Sequence, residues 1–182
     1  RRGLDPSEVA RMDLGRALDP MAELPLWSRS WRDTGHRLIL SAWGSTGQRE
    51  SLHACNVGNK GTKTRWPSGA NSKGLVLAND PGALLLAATC PPSLYTQSKR
   101  RVVISEGATD FLTAAVRWPD LPVFGIPGSG TWTPELAERI PDGALVIVRV
   151  DHDEAGDNYA DLVNETLGRR CKVLRTRREM GL

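Results

Sequence analysis

The chain contains, at positions 146 to 156, the stretch Val146-Ile147-Val148-Arg149-Val150-Asp151-His152-Asp153-Glu154-Ala155-Gly156. A run of β-branched residues that ends in acids and then enters a helix-forming segment is typical of a buried parallel strand followed by a strand-to-helix turn. Asp151 and Asp153 point the same way if this segment is extended, because side chains along a strand alternate with period two. We therefore predict a strand over 144–148 and a helix over 155–167, with these acids at the junction.

A second junction of the same kind lies upstream and reads Val102-Val103-Ile104-Ser105-Glu106-Gly107-Ala108-Thr109-Asp110. Glu106 ends the apolar strand, and Gly107 allows a tight turn into a helix. Asp110 follows about one helical turn later, so it can face the same side as Glu106. Functional groups of open α/β sheets collect where strands end at the carboxyl edge. We therefore expect the acids of both junctions to lie together.

Three or four carboxylates brought together in a partly buried site repel one another, and they either take up protons or need a cation. Oxygen ligands without a cluster of His or Cys favour Mg²⁺ or Mn²⁺ over zinc. Pairs of such ions serve nucleotidyl transfer by stabilising the attacking and leaving oxygens. The alternative is that each acidic turn is simply solvated and that Asp110 favours the positive end of its helix.

The segments around these junctions alternate strand and helix. Apolar strands are predicted over 102–104, 122–125, 144–148 and 171–174, with amphipathic helices over 108–116, 134–139 and 155–167. This alternation predicts an α/β fold with a parallel sheet covered by helices on both faces.

The N-terminal half does not show this alternation of strands and helices. We predict helices over 7–18, 21–31 and 83–88, and an antiparallel hairpin built from 37–43 and 51–57. We therefore expect the chain to divide near residue 95 into a small, basic, β-rich α+β subdomain over 1–95, with basic residues available for contact with nucleic acid or nucleotides, and an α/β unit over 96–182 that carries the acids.

Composition excludes several classes of protein. The 182 residues include 24 Lys and Arg, 21 Asp and Glu, and 40% hydrophobic residues, which is ordinary for a globular chain and not for a disordered one. The longest apolar stretch, 83–90, is about half of the roughly 20 residues that a membrane-spanning helix needs. We therefore expect no membrane partner.

The cysteines and the first residues indicate the cellular compartment and the extent of the polypeptide. Cys55, Cys90 and Cys171 stand alone, which excludes a zinc ribbon or a disulfide framework and favours a reducing cytoplasm. The sequence opens Arg1-Arg2-Gly3 without a methionine or a signal-peptide segment. We therefore expect a piece of a longer polypeptide, with further domains on either side.

The order and context of the two junctions resemble the Toprim domain, which is shared by bacterial-type and phage primases, type IA and type II topoisomerases and some nucleases. The resemblance covers about residues 100 to 175, and the Glu106-Gly107-x-x-Asp110 and Asp151-x-Asp153-x-Ala-Gly patterns are most similar to those of primases. It implies a Rossmann-like parallel sheet flanked by helices.

The resemblance also implies roles for the acids. Glu106, Asp151 and Asp153 match the family's metal-binding residues, and Asp110 matches a second acid of the primase version. Glu106 can alternatively act as a proton shuttle, as proposed for topoisomerases. His152 stands where primases often have a small residue or an amide, and as an alternating side chain we expect it to face away from the acids.

The upstream part is similar to the N-terminal subdomain of the primase polymerase core. Lys73 matches that subdomain's Lys-Gly step, within Ser72-Lys73-Gly74-Leu75-Val76-Leu77, and is our fourth catalytic candidate. Either Lys63 or Arg65 matches an upstream position where the family has a Lys before an aromatic residue. Lys60, Lys63 and Arg65 on a Gly-rich loop can follow phosphates, and Trp66 can stack on a base. The alternative is a solvated loop with Trp66 packed inward.

Two further segments are candidates for contact with phosphates. Gly128 and Ser129 lie in a Gly-rich loop between a strand and a helix, where backbone N–H groups can approach an anion. A basic run near the chain end either guides nucleic acid or is solvated, with both readings open; it comprises Arg169, Arg170, Lys172, Arg175, Arg177 and Arg178.

The resemblance implies the polymerase core of a primase from a phage, plasmid or other mobile element. Such an enzyme synthesises RNA primers from ribonucleoside triphosphates on a single-stranded DNA template, with two or more Mg²⁺ or Mn²⁺ ions, beside a replicative helicase that is separate or fused to the same chain. A Toprim nuclease and a non-catalytic nucleic-acid-binding module are the alternatives.

Overall fold

The computed structural model describes residues 6–19, 21–58, 61–87, 100–128, 130–151 and 153–177. In chain order its helices and strands are α1 (Pro6–Arg11), β1 (Arg16–Ala17), α2 (Ser30–Asp33), β2 (His36–Trp43), β3 (Arg49–Asn56), β4 (Thr64–Arg65), β5 (Val76–Ala78), α3 (Asp80–Leu86), β6 (Arg101–Glu106), α4 (Gly107–Arg117), β7 (Val123–Ile126), α5 (Pro134–Ala137), β8 (Leu145–Val150), α6 (Glu154–Leu167) and β9 (Lys172–Arg177). Short 3-10 turns lie at Leu26–Ser28 and Gly168–Arg170.

The described strands form one mixed sheet in the order β4-β3-β2-β5-β7-β6-β8-β9, with β1 paired to β2. The strands β7, β6, β8 and β9 run parallel, as predicted for the α/β part. The strands β2 and β3 form the predicted antiparallel hairpin. The predicted fold class is therefore confirmed.

Helices cover both faces of the parallel part because its strands alternate between two cores. Val102 and Ile104 of β6 pack with residues of α3, α5 and α6 on one face. Val103 packs on the other face with residues of α4 and α1. Strands that are apolar on both sides need such cover, which explains the continuous apolar runs in the sequence.

Two predicted N-terminal helices are wrong over most of their length. The helix expected over 7–18 ends at Arg11, because Asp13 adopts a left-handed φ of 50° and the chain then enters β1. The helix expected over 21–31 is interrupted at Pro25, which is extended with ψ at 157°, so only a 3-10 turn and the short α2 form. The apolar spacing of Leu24, Trp27 and Trp31 was not enough to make one helix.

The sheet continues across the predicted subdomain boundary near residue 95. The strand β5 pairs with β2 on one side and with β7 on the other, both antiparallel. The division into 1–95 and 96–182 stays a prediction. Across the described segments, no helix is both long and apolar enough to cross a membrane.

Candidate active site

The candidate site lies where the connections of two neighbouring strands diverge. The strands β6 and β8 are parallel neighbours, and the chain leaves β6 through α4 towards β7 but leaves β8 through α6 towards β9. Such a switch point opens a crevice at the carboxyl ends of the strands. Glu106 is the last residue of β6, and Asp151 directly follows β8. We call this end of the sheet the carboxylate edge.

Glu106 and Asp151 are in contact. The backbone N–H of Asp151 donates a hydrogen bond to Oε2 of Glu106 at 3.2 Å. Gly107, with φ at 73°, turns the chain directly into α4, a conformation that favours glycine. The predicted convergence of the first acid of each junction is therefore observed at this edge.

Electrostatics at Glu106 show that it shares its site with other acids. Burial raises the pKa of Glu106, and the charges of Asp151 and Asp153 raise it further against the lowering effect of the Asp151 N–H. Like charges that disfavour ionisation of one another form a site that a proton or a cation would stabilise.

Asp153 also caps the following helix. Its Oδ1 accepts a hydrogen bond from the N–H of Gly156 at 2.8 Å, which satisfies one of the free donors at the start of α6. Asp153 is exposed to solvent. The cap fixes the backbone of Asp153 beside the crevice.

Gly156 holds α6 close to Asp151. A Cβ at this position would collide with the carbonyl oxygen of Asp151, which is backbone and cannot swing away. Gly156→Ala is therefore expected to lower the free energy of unfolding by about 2 kcal/mol through overpacking, or roughly 4–8 °C in a thermal melt at this chain length. Gly128→Ala is the matched control, since a Cβ there meets no described atom within 4 Å. Equal melting temperatures for the two variants would contradict this packing.

The donors at the carboxylate edge suit a hard divalent cation, because they are carboxylate oxygens that raise one another's proton affinity. Glu106, Asp151 and Asp153 are the residues that would hold it. Within the described ranges, however, no three Asp, Glu, His or Cys side chains lie close enough together to form a ready ligand set.

The raised pKa of Glu106 predicts a pH-dependent stability. Since the folded protein binds this proton more tightly than the unfolded chain, stability falls as pH rises from the ordinary pKa of a glutamate through the raised value. We expect Glu106→Gln, measured in EDTA, to melt at a higher temperature than the parent at pH 7 and at the same temperature at pH 4. Mn²⁺ should raise the melting temperature of the parent only. A lower melting temperature of the variant at pH 7 would contradict this sign.

The charge of Asp110 acts on Arg149. Arg149 alternates with Val148 and Val150, so it lies on the α4 face, where it is only 8% exposed. Burial and the charge of Arg117 lower the pKa of Arg149, while the charge of Asp110 raises it. The acids that act on Glu106 are Asp151 and Asp153. A metal-binding role for Asp110 stays a prediction.

The ring of Trp118 completes the surroundings of Arg149. The guanidinium carbons of Arg149 and Arg117 each lie 5.1 Å from the centre of this ring, within the range of cation–π attraction. Sequence reasoning missed Arg149, although a charged residue inside the apolar run 146–150 was the available signal.

Tyr159 is a second residue that sequence reasoning missed as a site residue. It lies half-buried on α6, and burial followed by the charge of Glu106 raises its pKa to about 12. Its hydroxyl therefore keeps its proton at neutral pH beside the carboxylates. Its place on the apolar face of α6 gave only a packing signal.

Lys73 reaches the carboxylate edge from the N-terminal half. Because β5 runs antiparallel to β7, with Leu77 opposite Gly125, the segment that precedes β5 lies at the carboxyl end of β7. Lys73 is exposed and lines a cleft of about 290 Å³ together with Gly74, Thr133 and Glu135. Hydrogen bonding by Thr133 and, as a smaller effect, the charge of Lys73 lower the pKa of Glu135.

Lys63 and Arg65 lie at the opposite end of the sheet, which we call the far end. The strand β2 reaches the carboxylate edge at Trp43, which pairs with Val76, and it begins at the far end. Lys63 accepts a hydrogen bond from the N–H of Asn56 at 2.8 Å, and Arg65 pairs with Ala54, towards the far end of β3. The structure therefore does not bring these two cations to the acids, and their contact with nucleic acid stays a prediction.

Trp66 is half-buried and packs against a histidine. Its ring and that of His53 lie edge to face with centroids 4.6 Å apart. Burial lowers the pKa of His53 to about 4, so this buried imidazole is neutral. Stacking of a base on Trp66 stays a prediction, and one side of the ring is occupied by His53.

The remaining candidates are placed as follows. Gly128 begins a turn after β7, and its carbonyl accepts from the N–H of Thr131 at 3.1 Å. Arg170 forms an ion pair with Asp142 at 2.8 Å and donates hydrogen bonds to the carbonyls of Ala137 and Ile140. These contacts join the 3-10 turn after α6 to the end of α5 and the loop that follows it. Arg175 forms an ion pair with Asp157. Four residues named in the sequence analysis lie outside the described residues: Lys60, Ser129, His152 and Arg178.

Comparison with known proteins finds a shared fold. No protein-family model and no curated protein sequence matches the chain. The solved DnaG catalytic core matches with a TM-score of 0.60 at 18% identity, covering 98% of this chain and 63% of that one. The E. coli primase catalytic core gives 0.59 at 16% identity, covering 98% and 64%.

A third match is the DnaG primase catalytic domain bound to single-stranded DNA, with a TM-score of 0.57 at 16% identity and coverage of 96% and 63%. The chain therefore has the fold of primase catalytic cores, and the predicted resemblance is confirmed at that level. It spans less than two thirds of the length of these chains, at 63–64%.

Proposed function

We propose that this chain, which has the fold of a primase catalytic core, is the polymerase core of an enzyme that synthesises RNA primers on single-stranded DNA. The observation that carries the proposal is the contact between Glu106 and Asp151 at the switch point of that fold. The raised pKa of Glu106 supports it, because an acid crowded by two others is suited to hold Mg²⁺ or Mn²⁺.

When bound, the ions would stabilise the charge that develops on the attacking and leaving oxygens of nucleotidyl transfer. Glu106, Asp151 and Asp153 would hold the ions, and Tyr159, which keeps its proton, would remain a neutral neighbour of Glu106. Lys73, exposed at the same edge, would bind the triphosphate of the incoming ribonucleotide as a mobile point charge.

A single-stranded template is the proposed partner because matched structures include DnaG primase domains in complex with single-stranded DNA and with a DNA duplex that carries a 6-nucleotide overhang. A replicative helicase is the proposed protein partner, and the cytoplasm of a bacterial or phage-infected cell is the proposed location.

The proposal is tested by incubating the chain with single-stranded DNA, ribonucleoside triphosphates and Mn²⁺, beside a parallel incubation that scores cleavage of the DNA. The expected result is template-dependent incorporation of ribonucleotides that stops in EDTA. Cleavage without incorporation would replace the proposal with a Toprim nuclease. Binding of DNA with neither reaction would leave a non-catalytic binding module.

A further inference from the structure

The cleft of about 290 Å³ beside Lys73 contains polar groups that the proposed synthesis has not used. Three segments of the chain form it at the carboxylate edge: the turn after β2, the segment before β5 and the loop that leads into α5. We call it the edge cleft. Its other polar side chains are two acids, two hydroxyls and an amide, on Glu50, Glu135, Ser45, Thr133 and Asn71.

The edge cleft and Glu106 lie on the same face of the sheet. Ile104, two positions before Glu106 in β6, lies in the same core as Trp132 and Leu136, which flank the start of α5. Side chains two positions apart on a strand share a face. Since β7 lies between β5 and β6, two strand spacings, or about 10 Å, separate the segment before β5 from Glu106. A nucleotide whose α-phosphate lies at the metal-binding acids can therefore reach the cleft with its sugar.

The carboxylate of Glu135 is accessible and is oriented before any ligand binds. The Thr133 hydroxyl and the N–H of Glu135 itself donate to it, and both lower the pKa of Glu135. Thr133 is only 6% exposed, which holds this donor in place, whereas Glu135 is exposed. Because the two oxygens of a carboxylate together accept about four hydrogen bonds, Glu135 can accept further donors from a ligand.

Charge decides which end of a nucleotide enters the cleft. Two acids, Glu50 and Glu135, line it against one cation, Lys73. This excess of acid disfavours a phosphate inside the cleft, while carboxylates accept hydrogen bonds from O–H and N–H donors. Such donors are carried by the sugar and the base. The phosphates therefore stay on the side of Glu106, where the mobile Lys73 ammonium contacts them.

Copying of a template narrows the donor to the sugar. A template-directed enzyme accepts all four bases at one position, and a fixed carboxylate that paired with a donor of one base would discriminate against the others. The donors that all four ribonucleotides share are the ribose hydroxyls. Of these, the 3′-hydroxyl becomes the attacking group of the next step, whereas the 2′-hydroxyl takes no part in chain growth.

We infer that Glu135 accepts a hydrogen bond from the 2′-hydroxyl of the incoming ribonucleotide and so selects ribonucleotides over deoxyribonucleotides. This role rests on the proposed function, and it adds a residue that determines specificity to the acids and Lys73. It also gives a purpose to the contact between Thr133 and Glu135, which fixes the acceptor in the cleft.

The first measurement is binding. The chain is titrated in Mn²⁺, without a template, with ATP, CTP, GTP and UTP and with the 2′-deoxy form of each. We expect each ribonucleotide to bind about tenfold more tightly than its 2′-deoxy form, as the loss of one hydrogen bond to a charged group predicts.

Two variants and a control assign this preference. Glu135→Ala should bring the two affinities to within about twofold of each other for all four bases. Glu138→Ala is the matched control, because Glu138 is an exposed acid at the end of the same helix and does not line the cleft; it should keep the preference. Lys73→Met should weaken both affinities by a similar factor. The ratio is the readout, since a change of charge beside Lys73 affects both triphosphates alike.

Equal binding of the two forms by the parent, a preference that survives Glu135→Ala, or an effect confined to one base would overturn the inference. The same competition, measured as incorporation on a template, separates it from the proposed function. Incorporation without a preference for ribose would reject the role of Glu135 and leave primer synthesis in place. A binding preference that Glu135→Ala abolishes, without any incorporation, would support the edge cleft as a ribonucleotide site and reject primer synthesis.

Discussion

Asp151→Asn should reduce template-directed RNA synthesis by about 1000-fold while the protein stays folded. Asp151 contacts Glu106 at the switch point, and its charge is one of the two that raise the pKa of Glu106. Losing a carboxylate that holds a divalent ion removes several kcal/mol of transition-state stabilisation, and about 4 kcal/mol corresponds to three powers of ten. The measurement is the initial rate of ribonucleotide incorporation with saturating Mn²⁺.

The melting temperature of Asp151→Asn distinguishes a loss of activity from a loss of folding. Because removal of a like charge beside Glu106 relieves repulsion, the apo variant should melt at the same temperature as the parent or slightly above it. Asp161→Asn is the matched control, since Asp161 is an exposed acid on α6, and it should keep its rate. If Asp151→Asn keeps full activity, Asp151 is not one of the metal-binding residues of the active site.

The α/β part was predictable because its sequence signals are local and agree with one another. The inner strands β6, β7 and β8 are buried on both faces, so their hydrophobic runs are continuous and easily found. The convergence of Glu106 and Asp151 followed from topology alone, since parallel neighbours end at the same edge. The N-terminal helices failed because a left-handed residue, Asp13, and the extended Pro25 override their apolar spacing.

The contents of the site beyond these acids depended on distances that the sequence does not show. Lys63, Arg65 and Lys73 lie within one basic segment of the chain, yet strand pairing sends the first two to the far end and the third to the carboxylate edge. Asp110 follows Glu106 by four positions, but its charge acts on Arg149 of β8, which lies on the α4 face of the sheet. Strand pairing therefore decides which of these basic residues reach the carboxylate edge, and the sequence does not show that pairing.

Asp110→Asn separates the two roles that remain open for this acid. If Asp110 is the counter-ion of Arg149, its neutralisation leaves Arg149, a residue that is 8% exposed, beside the like charge of Arg117. Breaking a buried pair in this way costs about 3 kcal/mol, or roughly 6–12 °C in a thermal melt at this chain length. The apo protein should show this loss, with Mn²⁺ affinity close to that of the parent.

A double-mutant cycle completes the test. Arg149→Met keeps an unbranched apolar side chain against Trp118, and adding it to Asp110→Asn also removes the charge of the guanidinium. The double variant should therefore melt above Asp110→Asn alone, with a coupling free energy of about 1–3 kcal/mol. A ligand role makes the opposite pattern: unchanged stability of apo Asp110→Asn, no coupling to Arg149, and a clear loss of Mn²⁺ affinity. Since Arg149 lies two residues before Asp151 in β8, the first pattern would make the ion pair a support for the metal-binding acids from the opposite face of the sheet.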